Sequence, residues 1–282
     1  MKPAALDLVQ TAVAPIIWGS TYIVTTQWLA GFSPMTVAAL RALPAGLLLL
    51  MIVRRLPTGV WWLRAFILGA LNISIFLSLL FVAAYRLPGG VAGTVLASQP
   101  LIVVFLASLL LSARLRPLAV FGALVGMGGV ALLVLTPDAA LDGIGIAAGL
   151  AGAASMALGV TLSRKWQPPV SPLTFTAWQL TAGGLLLVPG VLLADPAMPV
   201  PTASNLLGLV WLGLIGAALT YALWFRGIGR LAPAVASSLL LLSPLTAVLL
   251  GWGFLGESLS PPQMAGMALV VASIWLSQRV NA

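Results

Sequence analysis

Arg41 is a formal charge set deep inside an apolar run, about eight residues or about 12 Å beyond the Ser33-Pro34 pair if that run is helical. A guanidinium at such a depth needs partners, because leaving it uncompensated in a medium without water is costly. Two chemistries answer this. It either attracts the carboxylate of a bound small molecule, or it is structural, bonded to helix-end carbonyls or reaching for an interface. Gln179, its counterpart in the second half of the chain, is also polar. Trp18 and Tyr22 are one helical turn apart and share a face, and Tyr221 and Trp224 lie three apart in the same way. Aromatic rings with N–H or O–H handles suit a pocket for planar molecules, although ordinary packing gives the same spacing.

Two further sets precede prolines. Thr94, Ser98 and Gln99 stand before Pro100, and Ser237, Ser238 and Ser243 stand before Pro244. A proline removes one amide donor and frees a carbonyl one turn earlier, so each helix is expected to kink and to leave backbone polarity facing protein or water. Matched broken helices in two halves of a chain point to a central site, while kinks that serve packing alone are the plainer reading. Asn72, Phe76 and Trp178 join the candidates by depth and by polarity or aromaticity.

Other chemistry lacks its groups. The 282 residues contain no histidine and no cysteine, so Ser-His catalysis, thiol chemistry and a zinc centre are without their usual ligands and bases. The five acids fall near span ends, which leaves no buried carboxylate pair. No catalytic activity, metal or cofactor is expected. Proton coupling through a mid-membrane carboxylate is not expected either. A facilitator is the simplest reading, with a rim group such as Asp7 or Glu257 as the alternative coupling site.

The elements that position these residues follow from composition. With 61% hydrophobic and 6% charged residues and a mean hydropathy of +1.14, the chain has too little polar surface for water. Apolar stretches of about 20 residues cross a bilayer as helices. Ten such spans are read: 6–29, 33–53, 62–85, 88–112 and 117–135, then 142–163, 171–194, 204–226, 231–255 and 261–279. The fold class is therefore an all-α membrane protein.

Eleven of the thirteen basic residues, from Lys2 to Arg279, fall in alternate connections, with Arg86 opposite and Arg41 inside a span. Asp138, Asp142, Asp195 and Glu257 fall opposite as well. Positive charge is retained on the cytoplasmic face, so both termini are expected there. The net charge of +8 is spread along one face, which fits anionic lipid head groups and not nucleic acid. The first apolar stretch reads as the first helix and not as a cleaved leader. Trp28, Trp61, Trp62, Trp166 and Trp275 near span ends read as an interfacial belt. Gly122-x-x-x-Gly126 and Gly145-x-x-x-Gly149 read as sites of close helix approach within one chain.

The sequence also repeats. A shift of 144 lays Arg86 on Arg230, Leu87 on Leu231, Pro100 on Pro244, Leu101 on Leu245, Pro117 on Pro261 and Gly122 on Gly266. A shift of 138 lays Trp28 on Trp166, Ser33-Pro34 on Ser171-Pro172 and Gly46 on Gly184. The units are 1–137 and 138–282. Five spans in each is an odd number, so the copies enter the membrane in opposite senses, an architecture common among secondary transporters.

With these repeats, Trp18-Gly19-Ser20, Arg41, the paired prolines and Gly256-Glu257 before a Gly-rich last helix, the whole chain resembles the drug/metabolite transporter superfamily, EamA type. Within it the sequence looks like the YddG-type exporters of aromatic amino acids. Ser112-Ala113 stand where the first repeat of that family often has its own Gly-Glu pair. The resemblance implies a monomeric inner-membrane carrier that exports small metabolites, aromatic and other neutral amino acids first, by alternating access through a central cavity. A broader amino-acid or drug exporter is the alternative within the class, and a channel or lipid scramblase the alternative outside it.

Overall fold

The computed structural model describes residues 3–87, 89–134, 142–194 and 199–279; Lys2, Asp138 and Asp195 lie outside them, as does the side chain of Tyr22. The described residues form ten helical rods: α1 Pro3–Trp28, α2 Pro34–Val53, α3 over 61–86, α4 over 89–111 and α5 Pro117–Val134, then α6 Gly143–Trp166, α7 Pro172–Ala194, α8 Ala203–Arg230, α9 Pro233–Leu255 and α10 Pro261–Arg279. Starts are built from the expected punctuation. Ser33 caps α2 by accepting from the Thr36 N–H, with Pro34 in the first turn, and Asp142 caps α6 by accepting from the Gly145 N–H.

Nine of the ten are long and apolar enough to cross a membrane. The tenth, α10, is 19 residues long but less apolar, because Pro261, Pro262 and Gln263 open it and Ser277, Gln278 and Arg279 close it. It lies along α5 for its whole length. Leu109, Leu193 and Phe254 are bare on the outer surface, as side chains that face lipid should be.

Neighbours pair by halves. α2 packs on α7 and α5 on α10; α3 meets α6 as α8 meets α1, and α4 meets α6 as α9 meets α1. Each contact maps onto itself or onto another in the set when the first five helices are exchanged for the last five. The ends of α4 and α9 repeat as well. Ser112 and Gly256, 144 apart, both take the left-handed conformation, at φ 54° and 71°. The Ala113 N–H donates to Ala107 and the Glu257 N–H to Gly251, which satisfies helix-end carbonyls in the same way.

Four rods are not uniform helices. α3 carries a π segment at Ala70–Ser74 and α8 one at Trp211–Leu219. α4 is interrupted at Ala97-Ser98 before Pro100, and α9 tightens to a 3₁₀ turn at Leu239–Leu241 before Pro244. The kinks therefore fall where the prolines free the carbonyls of Leu96 and Leu240.

The crossing of α2 on α7 depends on Gly46. A methyl group added there would press on the backbone nitrogen of Thr181 and the carbonyl carbon of Leu180, neither of which can move independently of its helix. Gly128, by contrast, faces open space. Gly46→Ala is expected to lower the thermal unfolding midpoint in detergent, at a cost of about 1–3 kcal/mol, whereas Gly128→Ala should leave it unchanged or slightly higher. Unfolding followed by size-exclusion chromatography checks both, and equal midpoints would remove Gly46 from its structural role.

Candidate functional site

A cavity of about 310 Å³ lies between the halves. Its walls come from the kinked part of α4 and α9, from α1, α2 and α6, and from α3 and α8 at or just past their π segments. Five pairs of lining positions stand 144 apart: Leu77 and Tyr221, Leu96 and Leu240, Ala97 and Leu241, Gln99 and Ser243, Pro100 and Pro244. Trp18 and Met156 form a sixth pair at a shift of 138. The cavity thus sits where equivalent parts of the two repeats face one another. Its size is at the small end of ligand sites, which run to about 300–1,000 Å³.

The π segments make the polar part of this site. A π turn reaches i to i+5 and displaces carbonyls from the regular ladder, so they can accept bonds from neighbouring helices. In α3 the Leu71 carbonyl accepts from Ser155 Oγ of α6 at 2.9 Å. In α8 the Gly216 carbonyl accepts from Trp18 Nε1 at 3.1 Å, from Arg41 at 2.9 Å and from Thr220 Oγ1 at 2.9 Å. Trp18 Nε1 also donates to Thr220 Oγ1 at 2.9 Å, which fixes the indole against the wall. The guanidinium has five N–H donors, and the Gly216 bond uses one. No carboxylate pairs with Arg41 among the described residues. The Gln99 amide nitrogen and the Thr21 hydroxyl, both on residues lining the cavity, are buried without a hydrogen-bond partner.

The symmetry is broken where it matters. Asn72 stands at the position of Gly216 and Gln179 at that of Arg41, and the two side chains bond each other across the halves, Asn72 Nδ2 to Gln179 Oε1 at 2.7 Å, fully buried, while Asn72 Oδ1 and Gln179 Nε2 are left without a partner. Gly159 has no side chain, which leaves room for Asn72. Each pair bridges the two halves; that of Asn72 and Gln179 is buried in the wall, whereas that of Gly216 and Arg41 leaves the guanidinium lining the cavity.

Of the residues singled out in the sequence, Trp18, Arg41, Phe76, Gln99, Tyr221 and Ser243 line the cavity together with Pro100 and Pro244. The side chain of Tyr22 lies outside the described residues, and the structure does not bring the others to it. Asn72 and Gln179 form the buried pair just described. Trp178 donates from Nε1 to the Arg55 carbonyl at 2.7 Å and packs against Trp61, outside the cavity. Ser98 donates back to the Val95 carbonyl at 2.7 Å, and Ser238 shares a 2.6 Å bond with Ser277 of α10. Thr94 is half-buried and bonded, away from the cavity wall. Trp61, read as part of an interfacial belt, is instead buried between Phe175 and Trp178, while Trp28, Trp62 and Trp275 are exposed. Thr21 and Met156 were missed, and for Met156 the repeat itself held the signal, since it is the partner of Trp18.

The two ends of the bundle differ. Toward the α3/α4 turn the cavity continues along Leu80, Gly93 and Ala247. Toward the α8/α9 turn, aromatic rings fill the path: Trp18 on Tyr221 with centroids 5.1 Å apart, Tyr221 on Phe225 at 5.8 Å, and Phe225 on Phe175 at 5.3 Å. Polar clamps lie beyond them. Asp7 of α1 pairs with Arg226 at 2.9 Å and Arg230 at 3.2 Å of α8, Arg226 also bonds Gln10, and Arg164 of α6 donates to the carbonyls of Ile228 and Leu231.

The comparisons agree with this architecture. The sequence profile of the EamA-like transporter family matches residues 8–135 and again 143–278. Protein PecM of Dickeya dadantii is 42% identical over 270 residues, which cover 95% of this chain and 91% of that one. An uncharacterized inner membrane transporter of Escherichia coli K12, YedA, is 29% identical, covering 93% and 87%. A crystal structure at 22% identity superposes with a TM-score of 0.83 over 97% of this chain and 98% of the other, which shows a common fold. On the two matched halves and the full-length relatives, the chain is a multi-pass membrane protein that belongs to the EamA-like transporter family.

Proposed function

We propose that the chain is a secondary transporter of the inner membrane that exports small metabolites by alternating access, with repeats 1–137 and 138–282 rocking about the cavity between them and both termini in the cytoplasm. Aromatic and other neutral amino acids are the first cargo class, with the carboxylate on Arg41 and the side chain against Trp18, Phe76 and Tyr221. The observation that carries this reading is a guanidinium lining a cavity between the halves, with one backbone bond and no acid partner among the described residues. A cavity sealed by aromatic rings at one end and continued toward the other suits a carrier caught with one side closed. Segregation of basic residues supports a cytoplasmic α8/α9 end. The cavity's small volume fits a single metabolite.

The direct test is saturable uptake of tryptophan or phenylalanine into liposomes holding the purified protein, competed by other aromatic amino acids. Arg41→Gln should weaken half-saturation roughly ten- to hundredfold, the equivalent of about 1.5–3 kcal/mol for one charged hydrogen bond, and Arg41→Lys should retain part of the affinity. Equal kinetics for both variants and the parent would remove the carboxylate from Arg41.

Gating has its own readout, because the chain contains no cysteine. A single Ser243→Cys change in the cavity wall should react with a hydrophilic thiol reagent supplied from the α3/α4 side. Adding Asp7→Asn loosens the clamp at the other end and should slow that reaction severalfold as the closed end opens. Unchanged labelling would mean that Asp7 does not hold the closed state.

A further inference from the structure

The described acids of this chain are committed elsewhere. Asp7 is held by Arg226 and Arg230, Asp142 caps α6 and faces Arg86, and Glu257 follows the end of α9 with its side chain over Gly251; Asp138 and Asp195 lie outside the described residues. Among the described lining residues the one formal charge is the guanidinium of Arg41, and Gln99 of the same wall holds an amide nitrogen without a partner. We infer that the cavity selects cargo of net charge −1, so that a planar organic acid is a better substrate than the zwitterionic amino acid with the same ring, and an amine is excluded. The inference rests on the transport reading above and names the charge class of the same site.

In a medium of low dielectric, a buried cation without an acid is stabilised by an anion and destabilised by a second cation. A carboxylate can take its bonds from the N–H groups of Arg41 that the Gly216 carbonyl leaves unused. The ammonium group of a zwitterion meets no carboxylate in this wall and lies within a few ångströms of a like charge. It must be desolvated against neutral groups, namely carbonyls that in part already accept bonds, as Gly216 does, and the hydroxyls and rings of the wall. An amine meets the guanidinium with no anionic group among the described lining residues.

A consequence follows for the driving force. Arg41 stays with the protein, so each anion carries one negative charge across the membrane. A potential negative inside therefore drives the anion outward, by about fiftyfold in concentration per 100 mV, since one charge gains about 2.3 kcal/mol and 1.4 kcal/mol is tenfold. Export then needs no titrating carboxylate in the bundle.

The experiment compares three probes with one ring system, indole-3-propionate, tryptophan and tryptamine, in liposomes holding the full chain, with protein-free vesicles subtracted and a potassium diffusion potential of either sign. The acid should move at least tenfold faster than tryptophan, its flux should change severalfold with the sign of the potential and appear as current on a supported membrane, and tryptamine should not exceed the protein-free level. The acid alone should also raise the unfolding midpoint of the purified protein, and Arg41→Gln should abolish that shift. Tryptophan flux equal to or above that of the acid, or acid flux indifferent to potential, overturns the charge selectivity and leaves the transport reading standing. Absence of flux and of stabilisation with all three probes overturns both.

Discussion

A carbonyl released from its own helix holds a buried charge in place. In lipid each backbone polar group must be satisfied within the protein, so an ordinary transmembrane helix has nothing left to offer a guanidinium. The π segment at Trp211–Leu219 changes that. Its Gly216 carbonyl accepts from Arg41, Trp18 and Thr220 at once, which ties α2 and α1 to α8 beside the cavity. One bond is enough to orient the guanidinium and too little to satisfy it. The site therefore exists because a helix is locally wound in a way that makes a spare acceptor at the level of the cavity wall.

The repeat supplies the cavity, and its imperfection supplies the chemistry. Six pairs of equivalent positions line the walls, so the space itself is a product of duplication. If both halves were alike, Arg41 would face a second polar pair of the same kind across the axis. Instead Asn72 and Gln179 share one hydrogen bond in the buried wall, and Gln99 has the smaller Ser243 as its counterpart.

Much of the frame was legible because lipid imposes strict lengths. Spans, prolines and the repeat followed from runs of about 20 apolar residues and from two fixed shifts, and Arg41 was visible as a charge where charges are costly. Facing was harder to read. A helix that is apolar on every side carries no stripe to say which way a given residue points, and so Trp178, Ser98 and Ser238 were placed at the right depth with the wrong neighbours. The π segments left no mark, since Ala70–Ser74 and Trp211–Leu219 are ordinary apolar stretches. The pairing of Asn72 with Gln179 had a partial signal in the repeat, for they stand at the positions of Gly216 and Arg41. Only the contact between α3 and α7 shows that the two side chains meet.

The two ends of the bundle carry related devices in unequal condition. Arg230 and Arg86 are 144 apart, and each faces an aspartate near the start of the helix that is equivalent in the other half, Asp7 in α1 and Asp142 in α6. At the sealed end the pairing is close, with Asp7 mostly buried and shared by Arg226 as well. At the other end Arg86 and Asp142 are 3.7 Å apart and both exposed. An exposed pair of this kind contributes about 0–1 kcal/mol, which is small enough to be exchanged during a cycle. In a carrier built from inverted halves, closing one end repeats in one half what the other half does when its own end closes. The loose pair at the α3/α4 end then stands where the tight one would form after the switch. Arg226 has Val82 as its counterpart, so the two closures differ by one arginine in strength. Under the alternating-access proposal, that difference favours the state sealed at the α8/α9 end, and binding of cargo must offset it before the cavity can change sides.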